Sequence, residues 1–173
     1  MTKVIKSVTI RHEVFYPNSQ ADVWVAITDP YALAEWFEPN DHKALVGHRF
    51  RFVVDESTKD CEVLEVDAPS RLEWSWQYVP NPKTGKPKQS GPMTISWALV
   101  PEGDGTKLVM EQNNAQNMRW LHRTLVRVGW KYMLKKLIPR ILLNIEHGQF
   151  TPGAIPREKR LYKCKTVSGN YIY

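Results

Sequence analysis

Aromatic, sulfur-containing and polar side chains recur on the predicted apolar faces of three strands and one helix, where they could line a binding pocket. They are Trp74, Trp76, Trp97, Met110, Gln112, His122, Tyr132 and Met133. Small-molecule sites are mostly apolar and contain a few placed polar groups. The set therefore predicts a site for a small apolar or aromatic molecule, while a packed core built from the same side chains is the alternative.

Patterns typical of catalysis or metal binding are missing from the sequence. No H-E-x-x-H, G-x-S-x-G, phosphate-cradling or dinucleotide-binding motif occurs. The five histidines are scattered, without the spacing of metal ligands. We therefore expect no catalytic residue set, no metal and no cofactor. An acid–base role for His122 stays open, because imidazole titrates near neutral pH. His12 and Gln112 also interrupt apolar faces, so each needs a hydrogen-bond partner or a ligand.

Positive charge is concentrated in the last third of the chain. The net charge is +6, and no acidic residue occurs between Glu111 and Glu146. One predicted helix face carries like charges four residues apart, at Arg123, Arg127, Lys131 and Lys135. Each such neighbour pair destabilises an isolated helix by about 0.2–0.5 kcal/mol. The pattern predicts weak docking to an anionic membrane or an acidic protein, with a solvated face as the alternative. No nucleic-acid motif supports a nucleic-acid partner.

Length and composition bound the class of protein. The 173 residues are enough for one domain with a substantial core. No apolar run approaches the ~20 residues that a membrane-spanning helix needs. The first residues lack the apolar core of a signal peptide, and Cys61 and Cys164 form no framework or metal spacing. We therefore expect two reduced thiols in a cytoplasmic protein.

Six segments alternate in hydrophobicity and predict strands. They are Lys6–Tyr16, His48–Val54, Cys61–Asp67, Arg71–Tyr78, Met93–Val100 and Thr106–Gln112. Gly103-Asp104-Gly105 predicts a hairpin turn between the last two. Short connections favour an antiparallel sheet with one buried face. Pro80–Pro92, with four prolines, cannot be a strand interior and predicts a long loop.

Helical segments flank this series of strands. Two short helices are expected within 22–36, separated at Asp29-Pro30. A long amphipathic helix is expected over 117–138, with an apolar face that should cover the sheet. That face contains Met118, Leu121, Leu125, Val126, Val128, Gly129, Tyr132 and Met133. Pro139 is expected to break or kink it, and a shorter helix through Ile145 is expected to stop at Gly148.

The order of these pieces resembles a known family. V-W-V-A-I-T-D-P with Trp36 is followed by V-G-H-R-F, C-E-V-L-E-V-D-A-P-S-R-L-E-W-S-W, G-D-G-T and G-W-K-Y-M-L-K-K-L. Together they resemble the SRPBCC (START-like, pollen-allergen-like) superfamily and, within it, the activator-of-Hsp-ATPase-homologue-like (AHSA-like) family. The resemblance spans Val8 to Leu142, although His48 stands where members usually have a second glycine.

The resemblance implies a fold and a domain division. The fold is α+β and of the helix-grip type. A curved antiparallel sheet of about six or seven strands wraps a long C-terminal helix, and two short helices follow the first strand. Residues 1–148 would form this domain, and 149–173 would be a basic C-terminal tail outside the resemblance.

The resemblance also leaves three functions open. The first is a non-enzymatic protein that binds a small molecule in a cavity between sheet and helix. The second is a cyclase- or hydrolase-type enzyme that uses the same pocket, with His122, Tyr132 and Gln112 as candidate residues. The third is a co-chaperone-like interaction module with a chaperone partner.

Overall fold

The structure is a computed structural model that describes residues 7–54, 58–80, 83, 85 and 89–160. Its strands are β1 (Ile10–Tyr16), β2 (Arg49–Phe52), β3 (Lys59–Asp67), β4 (Arg71–Tyr78), β5 (Met93–Glu102), β6 (Gly105–Asn113), β7 (Ile145–Glu146) and β8 (Gln149–Phe150). Its α-helices are α1 (Gln20–Thr28), α2 (Pro30–Trp36), α3 (Trp120–Tyr132) and α4 (Ile138–Leu142). Predictions for Lys6, for much of the loop 80–92, for Cys164 and for the rest of the tail lie outside the described residues.

The first six strands form one antiparallel sheet in the order β1-β6-β5-β4-β3-β2. Alternation along each strand buries one face, so Trp74 and Trp76 on β4 point the same way as Trp97 on β5. A register shift between Val63 and Glu65 in β3 is a bulge, which bends the strand and increases its twist. The predicted α+β helix-grip fold is confirmed, with six strands in the main sheet.

The two predicted short helices each begin at a capping side chain. The Ser19 side chain accepts a hydrogen bond from the Asp22 N–H at the start of α1. Asp29 ends α1 and starts α2, because its Oδ1 accepts from the backbone N–H groups of Tyr31 and Ala32 at 2.9 Å. Pro30 occupies the first turn of α2, where its missing N–H is tolerated. These helices bring Trp36 and the residues after it against the sheet.

The long C-terminal helix does not break at Pro139, in contrast to one predicted outcome. Its α-helical hydrogen bonding changes to a π-helical turn over Met133–Leu137 and resumes as α4. The Ile138 N–H donates to the carbonyl of Met133, five residues back. Proline lacks a donor and clashes with the preceding turn, and the wider turn before Pro139 accommodates this within a continuous helical run.

The predicted shorter helix through Ile145 to Gly148 is wrong. α4 ends at Leu142, and Ile145 lies in β7, which pairs with β8. His147 and Gly148 both have positive φ, 51° and 72°, and form the two-residue turn of this hairpin. The helix therefore ends before the predicted stop at Gly148, and the residues expected to form its last turn form the first strand of the hairpin instead.

The segment after β8 is held by a buried carboxylate. Glu35 of α2 is fully buried and accepts hydrogen bonds from the backbone N–H groups of Gly153 at 2.6 Å and Ile155 at 2.8 Å. Arg160 lies 3.3 Å from the same carboxylate. The first part of the predicted tail is therefore attached to the domain.

Cys61 is a buried free thiol, as predicted for this residue. None of the described helices is both long enough and apolar enough to cross a membrane.

Candidate functional site

A cluster of tryptophans fills the centre of the space between sheet and helices. The ring centroids of Trp74 and Trp97 lie 5.7 Å apart, and Trp97 lies 5.7 Å from Trp130 and 6.3 Å from Trp36. All four are buried, and so is Met110. The predicted site residues Trp74, Trp97 and Met110 therefore belong to the packed hydrophobic core.

Gln112 also has a partner within this core. Its Oε1 accepts a hydrogen bond from the Trp130 indole N–H at 2.9 Å. This bond joins the end of β6 to α3, while the Gln112 Nε2 is buried without a hydrogen-bond partner among the described residues. Gln112 therefore positions Trp130, and it does not face the pocket described next.

A pocket remains between α3 and the β3–β4 part of the sheet. Its volume is about 170 Å³. The aromatic part of its wall is Phe37, Trp76, Tyr78 and Trp130. The apolar non-aromatic part is Leu125, Val126 and Met133, and the polar part is Glu38, Lys59 and His122. Gly129 lines the pocket from α3. Three predicted site residues, Trp76, His122 and Met133, meet here. Leu125 is also exposed, so the pocket reaches the surface beside it.

A buried ion pair lies in this pocket. Lys59 Nζ is 2.5 Å from Glu38 Oε1, and the exposed fractions of the two side chains are 4% and 0%. The ammonium also lies 5.5–5.8 Å from the ring centroids of Phe37, Trp76 and Tyr78. Contact with aromatic faces and a carboxylate compensates a buried cation for lost water. The pair places two opposite charges at a fixed position in a wall that is otherwise mostly aromatic and aliphatic.

Sequence reasoning missed Lys59 and Glu38. The predicted third strand starts at Cys61, whereas β3 starts two residues earlier, at Lys59. The signal lay in the alternation of Lys59, Cys61 and Val63, all of which are buried. A lysine at an inward strand position needs a partner, and this requirement points to an acid elsewhere in the chain.

His122 and Trp76 add polar groups to the wall. The His122 ring lies 5.3 Å from the Tyr78 ring. The indole Nε1 atoms of Trp74, Trp76 and Trp97 are buried without a hydrogen-bond partner in the part of the chain that the structure describes, and of these residues Trp76 alone lines the pocket. Tyr132, in contrast, is half exposed and lies outside the pocket.

The apolar face predicted for the long helix covers the sheet only in part. Met118 and Met133 are buried, and Val126 and Gly129 line the pocket, whereas the other four predicted residues are exposed. We name Trp120, Leu121, Leu125, Val128 and Tyr132 the α3 stripe; their exposed fractions run from 48% to 71%. The helix packs on the domain through Trp130, Met133 and Leu134, which lie about half a turn away. α3 thus has two apolar faces, and a helical period alone does not distinguish them.

The four predicted anion-binding residues Arg123, Arg127, Lys131 and Lys135 form what we name the basic ridge. Arg127, Lys131 and Lys135 are exposed, and Arg123 is half-buried. The ridge passes close to His12 on β1. Burial lowers the pKa of His12, a hydrogen bond with the Arg127 backbone opposes this, and the charges of Arg127, Lys131 and Lys135 lower the pKa further. The basic ridge therefore flanks the α3 stripe on the side nearer β1.

A larger open groove of about 990 Å³ lies between α1, the segment 41–48 and the β7–β8 hairpin. In each of its two histidines one ring nitrogen lies near a backbone carbonyl, and the His42 Nε2 is buried without a partner among the described residues. His42 Nδ1 lies 2.9 Å from the Thr28 carbonyl, and His48 Nε2 lies 2.9 Å from the Asp41 carbonyl. Over the described residues, no group of three or more His, Cys, Asp or Glu could hold a metal ion. We therefore regard the smaller, aromatic pocket as the candidate site.

Solved structures of similar fold come from several bacteria. Protein MLL2253 from Mesorhizobium loti is 29% identical over 80% of this chain and 96% of its own, with a TM-score of 0.65. CalU16 from Micromonospora echinospora is 29% identical over 79% of this chain and 81% of its own, with a TM-score of 0.52. The Aha1 dimer from Colwellia psychrerythraea shares the fold at 19% identity, 75% and 92% coverage and a TM-score of 0.59. None of the curated proteins compared with the chain matches it in sequence.

The family comparison covers most of the fold described above. The family model described as "Activator of Hsp90 ATPase homolog 1-like protein" matches residues 18–139. This range starts before α1 and ends in α4, so it includes both sides of the aromatic pocket. The matched range is more than half of the sequence, and the chain belongs to this Aha1-like family of the SRPBCC superfamily.

Proposed function

We propose that the protein binds a small aromatic molecule in the pocket beneath α3. The observation that carries this proposal is an aromatic wall around a buried ion pair, in a pocket of about 170 Å³. An apolar cavity of about 150 Å³ accommodates benzene. The ligand that fits is therefore a single ring with few substituents, and larger lipids do not fit without rearrangement of α3.

Polar groups in the wall further restrict the chemical class of the ligand. Trp76 lines the pocket, and its buried indole N–H, a donor and never an acceptor, has no hydrogen-bond partner among the described residues. Lys59 and Glu38 fix a charge pair at the side of the same ring. A ligand that carries a hydrogen-bond acceptor, such as a phenol or an aromatic carbonyl compound, satisfies the indole while its ring stacks on the aromatic wall.

Gly129 gives a direct test of this proposal. A Cβ at this position would meet no atom within 4 Å, and the residue lines the pocket. The side chain of Gly129→Met should therefore fill the pocket without a steric clash at its Cβ. Calorimetric titration of single-ring probes such as phenol and 4-hydroxyacetophenone should show binding to the wild type and to Gly129→Ala, and loss of binding in Gly129→Met. Equal affinity for the wild type and Gly129→Met would overturn the proposal.

The enzymatic alternative remains a prediction from the resemblance. Of its three candidate residues, His122 lines the pocket, while Gln112 bonds Trp130 and Tyr132 is half exposed. These three do not share one site, so a binding role accounts better for the geometry.

A chaperone partner is the other prediction that follows from family membership. The family name refers to activation of the Hsp90 ATPase. Adding the purified protein to a steady-state Hsp90 ATPase assay tests it: a rate increase that saturates with protein concentration supports the partner, and an unchanged rate contradicts it.

A further inference from the structure

The α3 stripe is the largest run of exposed apolar side chains on one described element. Leu121, Leu125, Val128 and Tyr132 are spaced by four, three and four residues, so they form one continuous row along the helix. Trp120, at the start of the helix, is 71% exposed and lies about 100° around the helix from Leu121, on the side of the basic ridge. Contiguous exposed apolar patches of this kind mark interaction sites, whereas scattered single residues do not.

The positive charge of the basic ridge indicates which kind of partner binds the α3 stripe. The basic ridge runs along one flank, and no acid occurs between Glu111 and Glu146. A second copy of the protein, packed with its α3 stripe on this one, would bring two basic ridges together without a compensating carboxylate from either α3. The partner must therefore combine an apolar layer with negative charge.

The shape of the surface favours a bilayer over a protein groove. Side chains that are half to two-thirds exposed project from the helix as a convex row. A fluid lipid interface adapts to such a row without a matching cleft. A helix with apolar residues including Trp and Leu on one face and Lys and Arg beside them is typical of helices that lie in the membrane interface.

We propose that α3 docks on an anionic lipid bilayer, with the α3 stripe inserted at the headgroup boundary and the basic ridge against the headgroups. Both components contribute: the apolar side chains lose contact with water, and Arg127 and Lys131 attract the negative surface. The α3 stripe meets the aromatic pocket at Leu125, which belongs to both. The variants below therefore change stripe and ridge residues that do not line the pocket.

Vesicle cosedimentation tests the docking proposal. We expect binding to mixed phosphatidylcholine–phosphatidylserine vesicles that weakens with added salt, and much weaker binding to phosphatidylcholine alone. Arg127→Glu/Lys131→Glu should weaken binding about thirty-fold or more. Lys43→Glu/Lys159→Glu is the matched control with the same change in net charge and should bind nearly as the wild type does.

A second pair of variants tests insertion of the stripe. Leu121→Ser/Val128→Ser should weaken binding to the mixed vesicles about ten-fold or more. Leu64→Ser/Val100→Ser, which removes exposed apolar residues from the sheet, is its control. Lipids brominated on the acyl chains should quench tryptophan fluorescence, and Trp120→Phe should remove most of that quenching.

Three results would overturn the proposal. The first is equal binding to neutral and anionic vesicles. The second is unchanged vesicle binding in Leu121→Ser/Val128→Ser, which would leave only an electrostatic contact. The third is binding of an acidic amphipathic peptide with no binding to vesicles of either composition. Circular dichroism spectra that match the wild type show that each variant is folded.

Discussion

Lys59 Nζ and Glu38 Oε1 lie 2.5 Å apart inside the protein, with the aromatic rings of Phe37, Trp76 and Tyr78 around the ammonium. One partner comes from the start of β3, and the other comes from the segment directly after α2. The pair therefore joins the sheet to the short helices at the point where the aromatic pocket lies.

Removing one charge of this pair should lower the stability of the protein more than removing both charges. Lys59→Met or Glu38→Leu alone leaves one buried charge without its partner, so we expect each to lower the free energy of unfolding by about 3–5 kcal/mol. The double variant Lys59→Met/Glu38→Leu should be more stable than either single variant. Urea unfolding of all four proteins checks this, and additive losses in the double variant would contradict it.

Gly129 and Gly105 should respond oppositely to the same substitution. Gly129 lies within α3 with open space at its Cβ position, so Gly129→Ala should raise the free energy of unfolding by about 0.5–1 kcal/mol. A Cβ at Gly105 would lie 2.2 Å from the Tyr16 carbonyl oxygen across the β1–β6 pairing, and Gly105→Ala should destabilise the protein. Thermal unfolding of the two variants distinguishes these outcomes; a destabilised Gly129→Ala would show that the pocket side of α3 is filled.

His42 should make the protein acid-sensitive. Burial lowers the pKa of His42 to about 4, while an unfolded histidine titrates near 6.5. The unfolded state therefore binds the proton first, so this contribution to stability is complete above about pH 6.5 and is lost as the pH falls toward 4. The full decrease in the free energy of unfolding from this histidine is on the order of 3 kcal/mol.

Unfolding free energies measured across this pH window check the His42 prediction. His42→Gln should flatten the dependence relative to the wild type, whereas the exposed-site control His147→Gln should leave it unchanged. A remaining slope is expected from His12, whose pKa burial also lowers. Parallel pH curves for the wild type and His42→Gln would contradict the assignment.

Glu35 should control access to the segment 149–160. Glu35→Gln replaces a charged acceptor of two backbone hydrogen bonds and removes the partner of Arg160. Because hydrogen bonds to a charged group contribute about 1.5–3 kcal/mol, local opening should increase and trypsin should cleave after Arg157 and Arg160 faster than in the wild type. Glu111→Gln, which disturbs a surface pair with Arg11, is the control and should leave cleavage there unchanged.

Sequence patterns predicted the elements better than they predicted their orientation. The alternation in Arg71–Tyr78 and the Asp29-Pro30 junction each depend on neighbouring residues, and both predictions are confirmed. The inward face of α3 depends on tertiary packing, and a helix with two apolar faces offers two solutions of similar hydrophobicity. The fold buries Trp130 and Met133 and leaves Leu121 and Val128 outside.

Three of the eleven residues that line the candidate site were predicted from the sequence. Trp76, His122 and Met133 stood out as aromatic or polar residues on apolar faces, and they line the pocket. Lys59 and Glu38 did not, because a charged residue is normally assigned to a solvated face until its partner is known. Their pairing joins residues 21 positions apart, a contact that no local period encodes.

The indole N–H resonances of the seven tryptophans provide the most direct test of the proposed binding site. Two-dimensional ¹H–¹⁵N spectra of the wild type, assigned with single Trp→Phe variants, should be recorded during titration with 4-hydroxyacetophenone. We expect large, saturable shifts of the Trp76 and Trp130 signals, small shifts for Trp74 and Trp97, and none for exposed Trp120. Shifts absent from Trp76 and Trp130 at saturating probe, or equally large in Gly129→Met, would contradict a ligand site beneath α3.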